Sequence, residues 1–249
     1  MTDSSAPTFA SQRDSATSAI RVGDILSRSL SLFTGRWAPF IGLAFVAFLP
    51  EFLFEWFVPN PTKGLALLGP IIQMACTSLA DAAIIYGVVQ ELRGRGFIFS
   101  NSLRAGFDRL GAVIGLSLAV GLCITLAAIL LLIPGLIVWC IYAVAMPVCV
   151  VERLGVGDSL KRSSFLTKGN RWRIFGVTAG VLVGTTIAIE LIVGLLVTLG
   201  SGDRLAELAL IPAEAVAGAF NAVMVGVLYY QLRVTREGVD IEQIAAVFD

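Results

Sequence analysis

The chain has 249 residues, of which 57% are hydrophobic and only 14% charged, with 18 basic and 18 acidic side chains. Soluble globular chains carry about 25% charged residues, and the mean hydropathy here is +0.86, so the composition excludes a water-soluble domain and describes an integral membrane protein. The balanced charge argues against a nucleic-acid footprint, and the absence of histidine removes imidazole bases, imidazole metal ligands and Ser-His or Cys-His nucleophiles.

Residues 1–19 are rich in Ser, Thr and Ala and lack an apolar run. They are expected to form a disordered cytoplasmic tail, and they do not read as a signal peptide. A membrane domain is expected over 20–232. A helix crossing a hydrocarbon core of about 30 Å needs about 20 residues. Stretches 38–58 and 66–88 meet this need, separated by a turn at Pro61–Gly64. No charge occurs between Arg109 and Glu152. As one helix that run would reach about 60 Å, twice the bilayer core. It must fold back, and Pro134–Gly135 is the breaker pair near its middle, which gives spans 111–133 and 135–152. Spans 174–199 and 206–231 complete six. The fold class expected is an all-α polytopic bundle of three helical hairpins.

In the tail 233–249, Gly238 breaks the last helix, and Asp240 with Gln243 can cap a short one. Ile241, Ile244 and Phe248 would give that helix an apolar face.

Arg13, Arg21, Arg28 and Arg36 precede the first span, and Arg93, Arg95, Arg104 and Arg109 separate the second from the third. Six more cations fall between the fourth and fifth spans, and Arg233 and Arg236 follow the sixth. Only Lys63 and Arg204 fall on the other side. The positive-inside rule then places both termini in the cytoplasm of a bacterial inner-membrane protein. The 153–173 loop sets this topology; the alternative role is holding anionic lipid headgroups.

The chain repeats itself. GDILSRSLSLFTGRW at 23–37 aligns with GDSLKRSSFLTKGNRW at 157–172, allowing for Asn170, with Gly, Asp, Leu, Arg, Ser and Trp in register. A weaker copy, FSNSLRAGFDRL, occupies 99–110. Each copy precedes a pair of spans and enters from the same side, so the repeats are parallel. In the first copy Ile25, Leu26 and Phe33 share an apolar face opposite Asp24, Arg28 and Ser31. This reads as an amphipathic helix anchored in the interface, with Trp37 and Trp172 as interfacial aromatics.

Intramembrane acids carry the chemical interest, because an Asp at a span centre costs about 2.5–3.5 kcal/mol on insertion. Glu51, Asp81, Glu190 and Glu214 are the candidates for a proton or cation site, with Glu55 and Glu207 nearer the interface. All but Asp81 belong to the outer half. Gln73, Thr77 and Asp81 form one stripe, and Glu214, Gly218 and Asn221 another. The favoured reading is structural: the inner acids are protonated and hydrogen-bonded between helices, and Glu55 and Glu207 are wet at the interface, where Lys63 or Arg204 pairs with them; the proton or cation site is the alternative. Gly176, Gly180 and Gly184, and Gly218, Ala222 and Gly226, read as close-packing stripes. Cys76, Cys123, Cys140 and Cys149 read as small apolar residues. No catalytic constellation, metal site or cofactor is expected.

The segment from GDILSRSLSLFTGRW to FLP, the LLIPGLIVW hairpin, MPVCVVERLGVGDSLKRSSFLTKGNRWRIF and the ending LYYQLRVTREGVDIEQIAAVFD resemble, in that order, one bacterial family. It is the six-span membrane domain found fused to some glycerophosphoryl diester phosphodiesterases, and its stand-alone relatives. The resemblance implies an all-helical inner-membrane protein. It does not imply phosphodiesterase activity, which belongs to a separate soluble domain. The function expected is non-catalytic: membrane organisation, or assistance to an unidentified protein partner. The alternative is a small transporter or channel that uses the acids.

Overall fold

Every regular element among the described residues is a helix. Lipid offers backbone N–H and C=O groups no partner, so a spanning segment must pair them internally. The computed structural model describes residues 21–58, 65, 68–198 and 203–237, apart from a few side chains within them. The tail 1–19 and the short helix expected beyond Gly238 fall outside that set. In chain order the elements are α1 (Val22–Gly35), α2 (Trp37–Phe57), α3 (Leu68–Leu92), α4 (Phe99–Asp108) and α5 (Leu110–Leu130). Then come α6 (Leu132–Tyr142), α7 (Ala145–Val151), α8 (Val156–Thr167), α9 (Arg171–Thr198) and α10 (Asp203–Glu237).

Six stretches are long and apolar enough to cross a bilayer: Trp37–Phe54, Leu68–Leu92, Leu110–Leu130, Ile133–Val151, Arg171–Thr198 and Pro212–Glu237. The chain is a multi-pass membrane protein. The spans agree with expectation in number and order and differ at their limits. The second runs on to Leu92, and the sixth to Glu237.

The expected break at Pro134–Gly135 lies instead at Leu131, whose φ of −165° and ψ of 143° are extended. Pro134 is the third residue of α6. Pro39, Pro70 and Pro147 hold the same third position in α2, α3 and α7. First-turn N–H groups have no intrahelical acceptor, so a residue without one is tolerated there. At these four positions proline starts a helix. Gly135 then serves close approach, since a Cβ on it would lie 2.9 Å from Ala128 on α5. Pro147 has a second effect, which the sequence reading missed. The fourth span is two helices, α6 and α7, interrupted at Ala143–Val144.

The centre of the bundle is the pair α3 and α10, with α2 packed on both. Buried residues make up 56% and 61% of the second and sixth spans, but only 11% and 6% of the third and fifth. Ile84, Ile85 and Val88 of α3 pack with Val223, Met224, Val227 and Leu228 of α10 and with Phe40 and Leu43 of α2. Lipid tails are as apolar as these side chains, so the packing gains chiefly dispersion contacts and close fit. Gly226 meets that demand, for a Cβ there would lie 2.9 Å from Val88. Gly176, Gly180, Gly184 and Gly218 do not, because nothing lies within 4 Å of where their Cβ would sit. Among these glycines the spacing marks close packing only at Gly226, beside the buried Ala222.

The three short helices dock on spans. α1 lies against α10 and α9, α4 against α3, and α8 against α7, α6 and α5. Ile25 of α1 is fully buried. Phe33 meets Phe220 of α10 edge-on, with ring centroids 5.5 Å apart. The apolar face of α1 therefore rests in part on protein.

Candidate functional site

A cavity of about 400 Å³ lies between α2, α3, α10 and the α6–α7 junction. Its polar wall consists of Gln73, Thr77 and Asp81 from α3 and Glu214 and Asn221 from α10. Its apolar wall includes Phe48, Ile85, Ala143, Met146 and Val225. No Lys or Arg is among the lining residues.

Helix periodicity explains the polar wall. Gln73, Thr77 and Asp81 recur every fourth residue, and Glu214 and Asn221 are seven apart, so each set shares a face. The close packing of α3 on α10 turns these faces to the same space. At about 1.5 Å per residue, Asp81 lies about 16 Å from the Leu92 end of α3. Glu214 lies about 35 Å from the Glu237 end of α10. The cavity therefore extends from mid-span towards the end remote from α1, α4 and α8. The broken backbone of the fourth span lines it through Ala143 and Met146. Interrupted helices at membrane depth are tolerated where they are buried in protein or line a wet cavity.

The structure brings together two of the four candidate acids. Asp81 and Glu214 share the cavity. Glu51 is buried, 7% exposed, and lies beside Cys76 of α3 without lining the cavity. Glu190 is exposed on α9. The side chains of Glu55, Glu207, Lys63 and Arg204 lie outside the described part. Of the expected interfacial anchors, Ile25 is buried and Leu26 and Phe33 half-buried, while Trp37 and Trp172 are 59% and 84% exposed. The cysteines are free thiols; Cys76, Cys140 and Cys149 are buried.

A second polar constellation stands at the α1, α4 and α8 end, and sequence reasoning missed it. Arg162 of α8 donates to Glu152 at 3.0 Å and also pairs with Glu237. Arg233 pairs with Glu237 at 2.8 Å, and the Tyr229 hydroxyl donates to Glu152 at 2.8 Å. Burial works against the Arg162 charge, but Glu237 and Glu152 outweigh it, and the guanidinium stays charged above its ordinary range. Arg36 pairs with Glu91 at 2.9 Å, and Arg28 lies over the Tyr230 ring. The signal is present in the sequence: Glu91, Glu152 and Glu237 each fall at the end of an even-numbered span within two residues of an arginine.

Chemically, the cavity offers two carboxylates, two amide side chains and a hydroxyl, an oxygen-rich lining with no built-in cation. Such a lining suits a small cation, an ammonium group or a proton. Among the described residues no three His, Cys, Asp or Glu side chains converge as a metal site. Comparison with protein-family models, with curated proteins and with solved structures finds no match.

Proposed function

We propose that this protein is a non-catalytic carrier or channel whose cavity between α3 and α10 takes a small cation or a proton. One observation carries the reading: Asp81 and Glu214 meet on one cavity with Gln73, Thr77 and Asn221 and with no basic side chain. Acids at membrane depth with no basic side chain among the lining residues favour a bound cation or a proton. The volume falls within the range of small-ligand sites, and the interrupted fourth span at its wall is a common feature of transport sites.

The test is flux in proteoliposomes that trap a pH-sensitive dye and a sodium- or potassium-sensitive dye. Wild-type protein under an imposed gradient is expected to move protons or cations. Asp81→Asn with Glu214→Gln should abolish that movement while the melting temperature holds. No flux from folded wild-type protein under any of these gradients would sink the reading.

A second reading has its own observation. The indoles of Trp37 and Trp172 remain exposed where the first and fifth spans begin. That favours membrane organisation, or assistance to a protein partner, through the short helices. Leu26→Ser with Phe33→Ser would then impair function more than the acid substitutions do.

The chain belongs, on this proposal, in a bacterial cytoplasmic membrane with both termini inside, in keeping with the distribution of its cations. Its architecture is three parallel units, each a short helix followed by a helical hairpin. In support, Ile25 and Ser29 of α1 and their repeat equivalents Ser159 and Ser163 of α8 are all fully buried. Each short helix also rests on an even-numbered span: α1 on α10, α4 on α3, α8 on α6 and α7. The same arrangement suits the membrane domain associated with glycerophosphoryl diester phosphodiesterases. Exposed Arg153, Lys161, Lys168 and Arg173 make the 153–173 segment a surface for anionic headgroups.

A further inference from the structure

The end of α3 is built to hold one arginine in place. Gly94, at a φ of +72°, closes the helix in the left-handed region. Its N–H donates to the Glu91 carbonyl at 3.0 Å, and the Arg95 N–H donates to the Gln90 carbonyl at 3.1 Å. This bond pair is the Schellman closure, which fixes the residue after the glycine. Gly96, at a φ of +73°, turns the chain again. Phe97 then locks the connection. Its ring packs edge-on against Phe40, with centroids 5.2 Å apart, and a Cβ on Gly87 would lie 2.4 Å from it. α4 starts after Ile98, which makes no side-chain capping bond to the first-turn N–H groups.

These turns enclose a cavity of about 230 Å³ lined by Tyr86, Gln90, Arg95, Ile98, Asn101 and Ser102, with no carboxylate in its lining. Among the described residues no acid pairs with Arg95. The Gln90 side-chain oxygen is buried without a hydrogen-bond partner; a half-turn of the amide puts its N–H groups there instead. Nearby, burial holds the Arg93 guanidinium below its ordinary range, with Arg233 and Arg95 adding to the effect and Tyr229 and Tyr86 opposing it.

A guanidinium fork, amide and hydroxyl donors and an uncapped helix start, with nothing anionic among them, call for an anion with several oxygens. Ile98 and Phe99 are exposed beside the cavity at the end of the second span. An occupant that carries acyl chains would meet apolar side chains there. We propose that this pocket binds a phosphate group, carried by an anionic phospholipid or by a small soluble phosphate ester. The site is separate from the Asp81 and Glu214 cavity and from the 153–173 segment.

The test has two arms, run on the full chain. One reconstitutes the protein in nanodiscs of mixed phosphatidylglycerol and phosphatidylcholine and measures by native mass spectrometry which lipid is retained. The other titrates inorganic phosphate into detergent-purified protein. Arg95→Gln is expected to weaken binding about tenfold. Arg104→Gln serves as the control, its side chain 83% exposed and 3.9 Å from Asp108; it should leave binding unchanged. Preferential retention of phosphatidylglycerol that Arg95→Gln removes identifies the lipid. Saturable phosphate binding alone, lost in the same variant, identifies a soluble ester. If neither arm shows binding, or if both arginine variants weaken it equally, the proposal is overturned. Should Arg95→Gln fail to fold, Asn101→Ala decides by the same readings.

Discussion

Ser163 of α8 donates its hydroxyl to the carbonyl of Ile141 at 2.8 Å, just before the interruption of the fourth span. Thr167, one turn further along α8, donates to the same oxygen at 3.2 Å. Beyond the interruption, Ala143 and Met146 line the cavity that holds Asp81 and Glu214. A short helix at one end of the bundle thus holds the backbone that walls the candidate site.

Ser163→Ala with Thr167→Val should therefore do more than a surface change. Losing both donors leaves a part-buried carbonyl poorly satisfied, at a cost of about 1–2 kcal/mol. A lower melting temperature in detergent would show it. An unchanged transition would mean that the carbonyl finds another donor.

Arg162 should prove the most sensitive cation of those paired in the structure. It is 25% exposed, and its partners Glu152 and Glu237 are 15% and 19% exposed. Arg162→Ala leaves Glu152 with the Tyr229 hydroxyl and Glu237 with Arg233, and should cost about 1–3 kcal/mol. Arg162→Lys should recover only part, because an ammonium lacks the fork that reaches both acids. Removing Arg104, on the solvated pair with Asp108, should cost about 0–0.5 kcal/mol. Chemical unfolding of the three variants side by side separates these outcomes.

The glycines divide into two groups that alanine substitution distinguishes. Gly87→Ala and Gly226→Ala push a methyl to within 2.4 Å of Phe97 and 2.9 Å of Val88. Each should destabilise by about 1–3 kcal/mol. Gly180 has open space around it, and alanine there should be neutral or stabilising by up to about 1 kcal/mol. A loss at Gly180 equal to that at Gly226 would point to a partner helix on that face.

Water access to the cavity can be read with cysteine. In a background lacking Cys76, Cys123, Cys140 and Cys149, Asn221→Cys should react with a water-soluble maleimide. Ala219→Cys, at a position 1% exposed on the same helix, should not. Equal protection of both would mean that the cavity is dry.

Charge-free runs made the six spans legible, because a long apolar stretch has few alternatives in a membrane. Periodicity placed Gln73 with Asp81 and Glu214 with Asn221, each pair on its own helix. It was silent on which helices face each other, since α3 and α10 meet only through tertiary packing. For the same reason it did not separate Asp81 from Glu51 or Glu190. Glycine spacing told nothing about neighbours, so Gly180 and Gly226 looked alike. The two loop-side prolines were ambiguous because proline both ends and begins helices. Pro134 looks like a break in the sequence and Pro147 like an ordinary span residue, yet both start helices.

Few residues of the third and fifth spans are buried in protein, which leaves them to the lipid, while α3 and α10 are held by each other. Two spans are thus tuned by their solvent and two by their sequence. Acyl chains of a different length or fluidity should alter amide hydrogen exchange in α5 and α9 long before they alter it in α3 and α10. The membrane's composition would then act as a control on the rim of the bundle that leaves its axis untouched.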